Sequence, residues 1–249
     1  MKRTRALLVS GCLVAGLPLA WSNPAVAADK KAFCATNVKI NLQLNRLFAT
    51  ATAAGQPSPA QIQQASGPIL TLVDQAVTSA PAAIVGQETI IANALHANFQ
   101  AALNDSAVSD AGSKIDTYAV KNCGYHVINV TGVEYALKGV PKTLKTGVVV
   151  VSFKNAGSES HEIRIARIKT SDSVKALLAL PQGQARTRVE NLGVTGSDPG
   201  QTSVGYFQLN APGRYVALCL VPKGTTSSSQ GSGPPHAQLG MHSEFTVTK

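Results

Sequence analysis

The apolar residues of this chain change their period once, near Cys123, and that switch limits the possible architectures more than any other feature. Before it they recur at helical spacing: Ile40, Leu44, Leu47, Phe48 and Ala51 mark one face of a half-buried helix. Ser58, Pro59 and Gln61 supply an N-cap, a proline at the first helical position and a glutamine three residues after the cap, so a second helix starts there. Pro68 is expected to kink or split it, because a mid-helix proline removes a hydrogen bond and clashes with the preceding turn. A third pattern, Ile84, Ile91, Leu95, Phe99 and Ala102, ends near the polar stretch 104–113. These patterns predict a bundle of three or four helices over 28–123.

After Cys123 the chain breaks into short segments rich in Val, Ile, Tyr and Phe at 126–137, 147–153, 162–168, 204–209, 214–221 and 244–248, separated by Gly, Pro, Asn and Ser clusters. In the last, Phe245 and Val247 alternate with Glu244 and Thr246, as in a strand with one buried face. One short helix is expected at 172–180. The fold class read from this is α+β in two domains, a small N-terminal helical bundle followed by a Greek-key β-sandwich over 124–249.

The first 27 residues have the plan of a cleaved secretory signal: Lys2, Arg3 and Arg5, an apolar run over 6–21, then Ala25, Val26 and Ala27. The run is shorter than the roughly 20 residues a spanning helix needs. Cleavage after Ala27 is expected, with no transmembrane segment remaining and a secreted, periplasmic or cell-envelope location. Val9, Ser10, Gly11 and Cys12 loosely match a lipidation box but leave too short an apolar core before the cysteine. Cleavage lowers the formal charge from +9 to +6, because three of the 22 basic residues and none of the 13 acidic ones leave (19 − 13). The remaining cations are scattered and aromatics are few, which argues against a nucleic-acid partner. A basic balance suits an acidic partner or a cell-surface setting.

Of the four cysteines, Cys12 goes with the leader, leaving an odd number in an oxidising compartment where thiols tend to pair. Cys34 and Cys123 bracket the helical region, whereas Cys219 ends a strand of the other. The simplest assignment is a Cys34–Cys123 disulfide and a free Cys219.

Four soft or borderline metal donors fall in the β-region beside strand ends or turns: His161, Cys219, His236 and Met241. One thiolate, two imidazoles and a thioether form the donor set of a mononuclear copper site with His₂Cys in a plane and a long axial Met. Taken singly, Cys219 reads as an inert core thiol, His161 as a turn residue and Met241 as a gap filler. His242 offers an alternative donor, although strand alternation turns it away from Met241. His96 and His126 read as structural, and Glu159, Glu162 and Glu190 as solvated surface groups. No Gly-x-Ser-x-Gly, His-Glu-x-x-His, Cys-x-x-Cys or phosphate-loop pattern is present, so hydrolase and nucleotide-binding readings have no support.

Three stretches carry a resemblance to the cupredoxins, the family of plastocyanin and azurin. They are the segment from Val150 through Phe153, Asn155 and Gly157 to His161, the run PGRYVALC ending at Cys219, and PHAQLGM from Pro235 to Met241. The resemblance covers roughly 123–249 and is similar to a bacterial group of exported cupredoxin-like proteins with an N-terminal helical extension. It implies one copper ion held by His161, Cys219, His236 and Met241, and a one-electron or copper carrier with a redox or copper-exchange protein partner. One departure is plain: 16 residues separate Cys219 from His236, where the family has only a few. The segment reads as a flexible Gly/Ser-rich insertion, of small closure cost, and predicts a softer centre. The competing readings are a metal-free cupredoxin-shaped module that binds a protein or envelope partner, and a copper oxidase or reductase. The last is weakest, because no second donor cluster is visible.

Overall fold

The structure, a computed structural model, describes residues 29–49 and 57–249. The leader, with Cys12 and the cleavage point after Ala27, lies outside the described residues, as does Ala51. Five helices occupy the first half: α1 (Lys30–Ala49), α2 (Pro59–Ser79), α3 (Val85–Ala97), the one-turn α4 (Phe99–Ala102) and α5 (Ser106–Asn122). The cap of α2 is reciprocal: Ser58 Oγ accepts from the Gln61 N–H at 3.3 Å and Gln61 Oε1 accepts from the Ser58 N–H at 2.8 Å. Pro68 does not split α2. It lies on the exposed side, where the carbonyl it deprives of a donor faces water, while Ile62, Ile69, Val73 and Ala76 carry the buried stripe past it. The polar stretch where the third pattern ends starts a further helix, α5, with Asp105 Oδ1 accepting from the Ala107 N–H at 2.7 Å. Ile62, Ile69, Val73, Leu95 and Phe99 pack with Leu47 as the bundle core. Cys34 of α1 and Cys123 at the end of α5 are bridged, with Cα atoms 5.5 Å apart.

The second half is a two-layer sandwich. One sheet has the order β2 (Ala136–Lys138), β1 (Val127–Val133), β4 (Gly147–Asn155), β7 (Thr202–Leu209). The other has the order β3 (Thr143–Lys145), β9 (His242–Thr248), β8 (Gly213–Leu218), β5 (His161–Ile168), β6 (Val189–Ser197). The chain crosses between sheets after β2, β3, β4, β6 and β7, the alternation of a Greek-key sandwich. Pairing is parallel for β1 with β4 and for β3 with β9, and antiparallel elsewhere. Inward-facing Val149, Val151, Phe153, Ile163, Ile165, Phe207, Tyr215 and Phe245 fill the space between the layers. The expected helix at 172–180 is α6 (Val174–Ala179), followed by a further short helix, α7 (Gln182–Arg188).

Helices α1 and α5 cover part of the outer face of the first sheet, over β7. Val150 and its cross-strand neighbour Tyr206 are as buried as the inward residues beside them. The run Val148 to Val151 is therefore apolar on both faces, as strands covered on both sides are. The Tyr206 hydroxyl accepts from Asn37 Nδ2 of α1 and donates to Asp116 Oδ1 of α5, both at 3.0 Å. Burial pushes the Asp116 carboxyl up to about 7, against the Tyr206 hydrogen bond. Burial, helped by the nearby Asp116 charge, pushes Glu88 of α3 up to about 7 as well.

A raised carboxyl pKa means that between roughly pH 4.5 and 7 the native state holds protons the unfolded chain has released, so stability falls as pH rises through that window. For Glu88 the full cost above the window is on the order of 3 kcal/mol. Thermal unfolding should therefore show a lower midpoint at pH 8 than at pH 5, and Glu88→Gln should shrink the difference, with Asp116 supplying what remains. A wild-type midpoint that rises from pH 5 to pH 8 with the same slope in the variant would contradict this account.

Candidate metal centre

Three strands bring their donors to one end of the sandwich by continuing rows that already face the core. On β5, Ile165 and Ile163 point inward, and two residues on, by the strand period, His161 does too. On β8 the row Tyr215, Ala217 extends to Cys219, and on β9 the row Val247, Phe245 extends back to Met241. The register of β8 with β9 places Cys219 beside Met241, and the Cys219 N–H donates to the Met241 carbonyl at 3.1 Å. His236 comes from a single 3-10 turn, His236–Leu239, tied to its neighbours by the Ala237 N–H on the Cys219 carbonyl (2.7 Å) and the Met241 N–H on the His236 carbonyl (3.0 Å).

His161, Cys219, His236 and Met241 are all buried, the last three completely. Donor atoms of His161, Cys219 and His236 lie within 4.8 Å of one another. The two Nδ1 atoms are 3.0 Å apart, and Cys219 Sγ is 3.4 Å from His236 Nδ1. Two nitrogens at about 2.0 Å from one ion lie roughly 3.3–3.5 Å apart at tetrahedral to trigonal angles, and a nitrogen and a sulfur roughly 3.5–3.7 Å. The observed separations need to open by only a few tenths of an ångström to accept an ion. Met241, paired to Cys219 through its carbonyl, has its methyl against Gly132, where a Cβ would come within 3.0 Å of it. His242 is half-buried on the other side of its strand, and His96 is paired with Asp74 at 2.8 Å in the helical half.

Protonation favours a cation at this point. His236 Nε2 lies 3.0 Å from Glu159 Oε2, and a carboxylate only accepts, so Nε2 carries the proton and Nδ1 turns its lone pair to the cluster. His161 Nε2 is 3.4 Å from Glu134 Oε1, too poorly aligned for a hydrogen bond, and is otherwise buried without a partner. The same negative charge still favours the proton on Nε2. Two bare Nδ1 atoms 3.0 Å apart repel unless a proton or a metal ion lies between them. Burial, then the neighbouring His236, which resists a second positive charge beside it, lowers the His161 pKa against the pull of Glu134, and this imidazole stays a neutral donor. Burial pushes the Cys219 thiol up to about 11 despite the Glu162 and Val221 backbone bonds, so its thiolate forms at neutral pH only with a cation at hand.

Two of these groups, Glu134 and Glu159, were not expected. Glu159 reads as a surface carboxylate in sequence, but the turn before β5 folds it inward. Burial, which opposes ionisation, is outweighed by donors from Gly224, His236 and Tyr135, and its pKa is lowered. Glu134 is held down to about 2, where the backbone N–H groups of Glu159 and Ser158 outweigh its burial. Glu162 turns to the Leu220 N–H and Arg164, and Glu190 to Arg167. The only sequence signal for Glu159 is its place two residues before His161. Glu134, 27 residues from that histidine, had none.

Gly157 is required at this corner. A Cβ there would stand 2.6 Å from His161 Nε2 and closer still to Glu134 Oε1. Gly157→Ala should displace one or both and weaken metal binding by roughly 10–100-fold, the usual effect of disturbing a ligand's outer partners. Competition against a chelator of known affinity measures this, and an unchanged affinity would show that the close approach is relieved elsewhere.

No protein-family model and no curated protein matches the chain. Among solved structures, reduced auracyanin from the photosynthetic bacterium Roseiflexus castenholzii aligns at 26% identity over 50% of this chain and 98% of its own, with a TM-score of 0.34. Auracyanin A, a blue copper protein from the green thermophilic photosynthetic bacterium Chloroflexus aurantiacus, aligns at 19% identity over 50% of this chain and 100% of its own, with a TM-score of 0.32. A multicopper oxidase from Pediococcus acidilactici aligns at 10% identity over 51% of this chain and 27% of its own, with a TM-score of 0.31. These likenesses extend over about half of this chain. With a Greek-key sandwich and two imidazoles and a thiol buried at one end of it, from the ends of adjacent strands β5 and β8 and the turn before β9, the second half of the chain has a cupredoxin-like fold.

Proposed function

We propose that this protein binds one copper ion through His161, Cys219 and His236, with Met241 as the weak fourth donor, and carries single electrons outside the cytoplasmic membrane. The observation that supports this most is the convergence of two Nδ1 atoms and one Sγ in a fully buried site. Thiolate and thioether favour Cu(I) and imidazole suits both oxidation states, so the bound ion would supply a one-electron redox couple. The chain's own part is to hold the donors in place and exclude water. Export is supported by the leader read in the sequence and by the disulfide, and no described helix is long and apolar enough to cross a membrane. A redox or copper-exchange protein partner follows from the same reading.

Titration of the exported protein with Cu(II) tests the proposal. One equivalent should bind and produce an intense visible band from thiolate-to-copper charge transfer. Folded protein that takes up no copper and shows no band would instead favour the metal-free module.

A further inference from the structure

The 16 residues between Cys219 and His236 are too many for the chain on that side to position His236; the turn toward Met241 fixes its backbone, which leaves the orientation of its ring to be set. The segment is not loose. Pro222 and Pro235 form a bridge at its base, the Lys223 N–H donates to the Pro234 carbonyl at 3.0 Å, and the Gly233 N–H donates to the Lys223 carbonyl at 3.1 Å. Thr225 Oγ1 accepts from the Gly231 N–H at 3.0 Å and donates to the Pro222 carbonyl at 2.7 Å. The folded segment then meets the rest of the protein at the turn before β5. There the Ser160 N–H donates to the Thr225 carbonyl at 2.9 Å, and the Gly224 N–H to Glu159 Oε2 at 2.6 Å. Gly224 has φ +89, a conformation that aims this N–H and that L side chains rarely adopt.

Glu159 thus joins three separate parts of the chain. Its Oε2 accepts from Gly224 and from His236 Nε2, and its Oε1 accepts from the Tyr135 hydroxyl at 3.0 Å. Its own backbone is fixed, with the N–H on Glu134 Oε1 at 2.9 Å and the carbonyl accepting from Asn155 Nδ2 at 2.8 Å. Tyr135 also lies against the His236 ring, centroids 4.9 Å apart.

We infer that Glu159 is a positioning residue of the metal centre: it orients His236 through Nε2 and, by the same carboxylate oxygen, latches the 222–235 segment over that histidine. The inference rests on the copper reading for its redox consequence, but not for the latch. One oxygen bonds both the Gly224 N–H and the His236 ring, so opening the segment at Gly224 disturbs the bond that orients the ring. A carboxylate on the outer N–H makes imidazole a stronger donor and stabilises the higher oxidation state, so its charge lowers the reduction potential. The neutral amide of Glu159→Gln still accepts from Gly224 and closes the segment, yet lacks that charge.

The test compares wild type, Glu159→Gln and Glu159→Ala, each first shown to be folded by circular dichroism. In metal-free protein, hydrogen exchange at Gly224 and Thr225 should rise on the order of tenfold or more in Glu159→Ala, stay near wild type in Glu159→Gln, and leave the strands unchanged. The ¹⁵N spectrum should show His236 protonated at Nε2 in wild type and mixed in Glu159→Ala. With copper, Glu159→Ala should lose Cu(I) to a chelator roughly 10–100-fold faster, and Glu159→Gln should keep a near wild-type loss rate but a higher reduction potential. Exchange, tautomer, loss rate and potential all unchanged in Glu159→Ala would overturn the inference. Failure of wild type to bind copper would sink the copper reading alone, while exchange and the tautomer would still decide the latch.

Discussion

Cys219→Ser should abolish the visible band of the copper-loaded protein while leaving the sandwich folded. The band needs a sulfur bound to copper, and Cys219 is the only cysteine outside the disulfide among the described residues. A serine at this fully buried position is nearly isosteric, and the Glu162 N–H, 3.4 Å from Sγ, remains available to it. The expected structural cost is therefore small, on the order of 1 kcal/mol. The spectroscopic loss should be complete, since neither imidazole supplies that transition. His161→Ala and His236→Ala should each retain the thiol and weaken binding, giving a shifted band rather than none. Optical titration of the folded variants separates these cases. An undiminished band in Cys219→Ser would show that copper sits elsewhere.

Removing the disulfide should have the largest effect on stability. Cys34 and Cys123 are 89 residues apart in sequence, and closing a loop of that length restricts the unfolded chain by about 4–5 kcal/mol in the chain-entropy picture. The bridge joins the start of α1 to the end of α5, where Phe33, Ala80, Ile84 and Ile115 form a second small core. With a chain of this size, the double variant Cys34→Ser, Cys123→Ser should melt roughly 10–15 °C lower. Its copper band should persist below that temperature, because Cys219 takes no part in the bridge. Equal melting temperatures for variant and wild type would mean that the unfolded chain is already compact where the bridge acts.

Sequence patterns revealed the helical half, because residues such as Ile69, Leu95 and Phe99 bury one stripe and the period follows. They revealed five of the nine strands as single segments, and read 126–137 as one strand where β1 and β2 form a hairpin through Glu134 and Tyr135. Two were missed for physical reasons. β3 is three residues long with only Leu144 buried, and β6 carries Gly193 and Gly196 and is half-buried through most of its length, with no clean alternation. A register shift beside Ile165 breaks its pairing with β5 as well. The donors His161, Cys219, His236 and Met241 stand out by residue type, which needs no long-range knowledge. Glu134 and Glu159 do not, since a carboxylate acquires its role from what the fold turns it toward. The Gly/Ser composition of 222–235 suggested slack, whereas its order comes from backbone bonds that composition does not encode.

The helices that cover Val150 and Tyr206 make the junction between the two halves a seam rather than a hinge. A fragment beginning at Gly124 would lay open the outer face of β4 and β7, leaving Val150 facing water and the Tyr206 hydroxyl without Asn37 or Asp116. Fully exposed aliphatic and aromatic surface next to strands is a site for self-association. Anyone trimming this protein to its β-sandwich, or grafting that portion onto another scaffold, would need to replace those apolar residues with polar ones or carry α1 along.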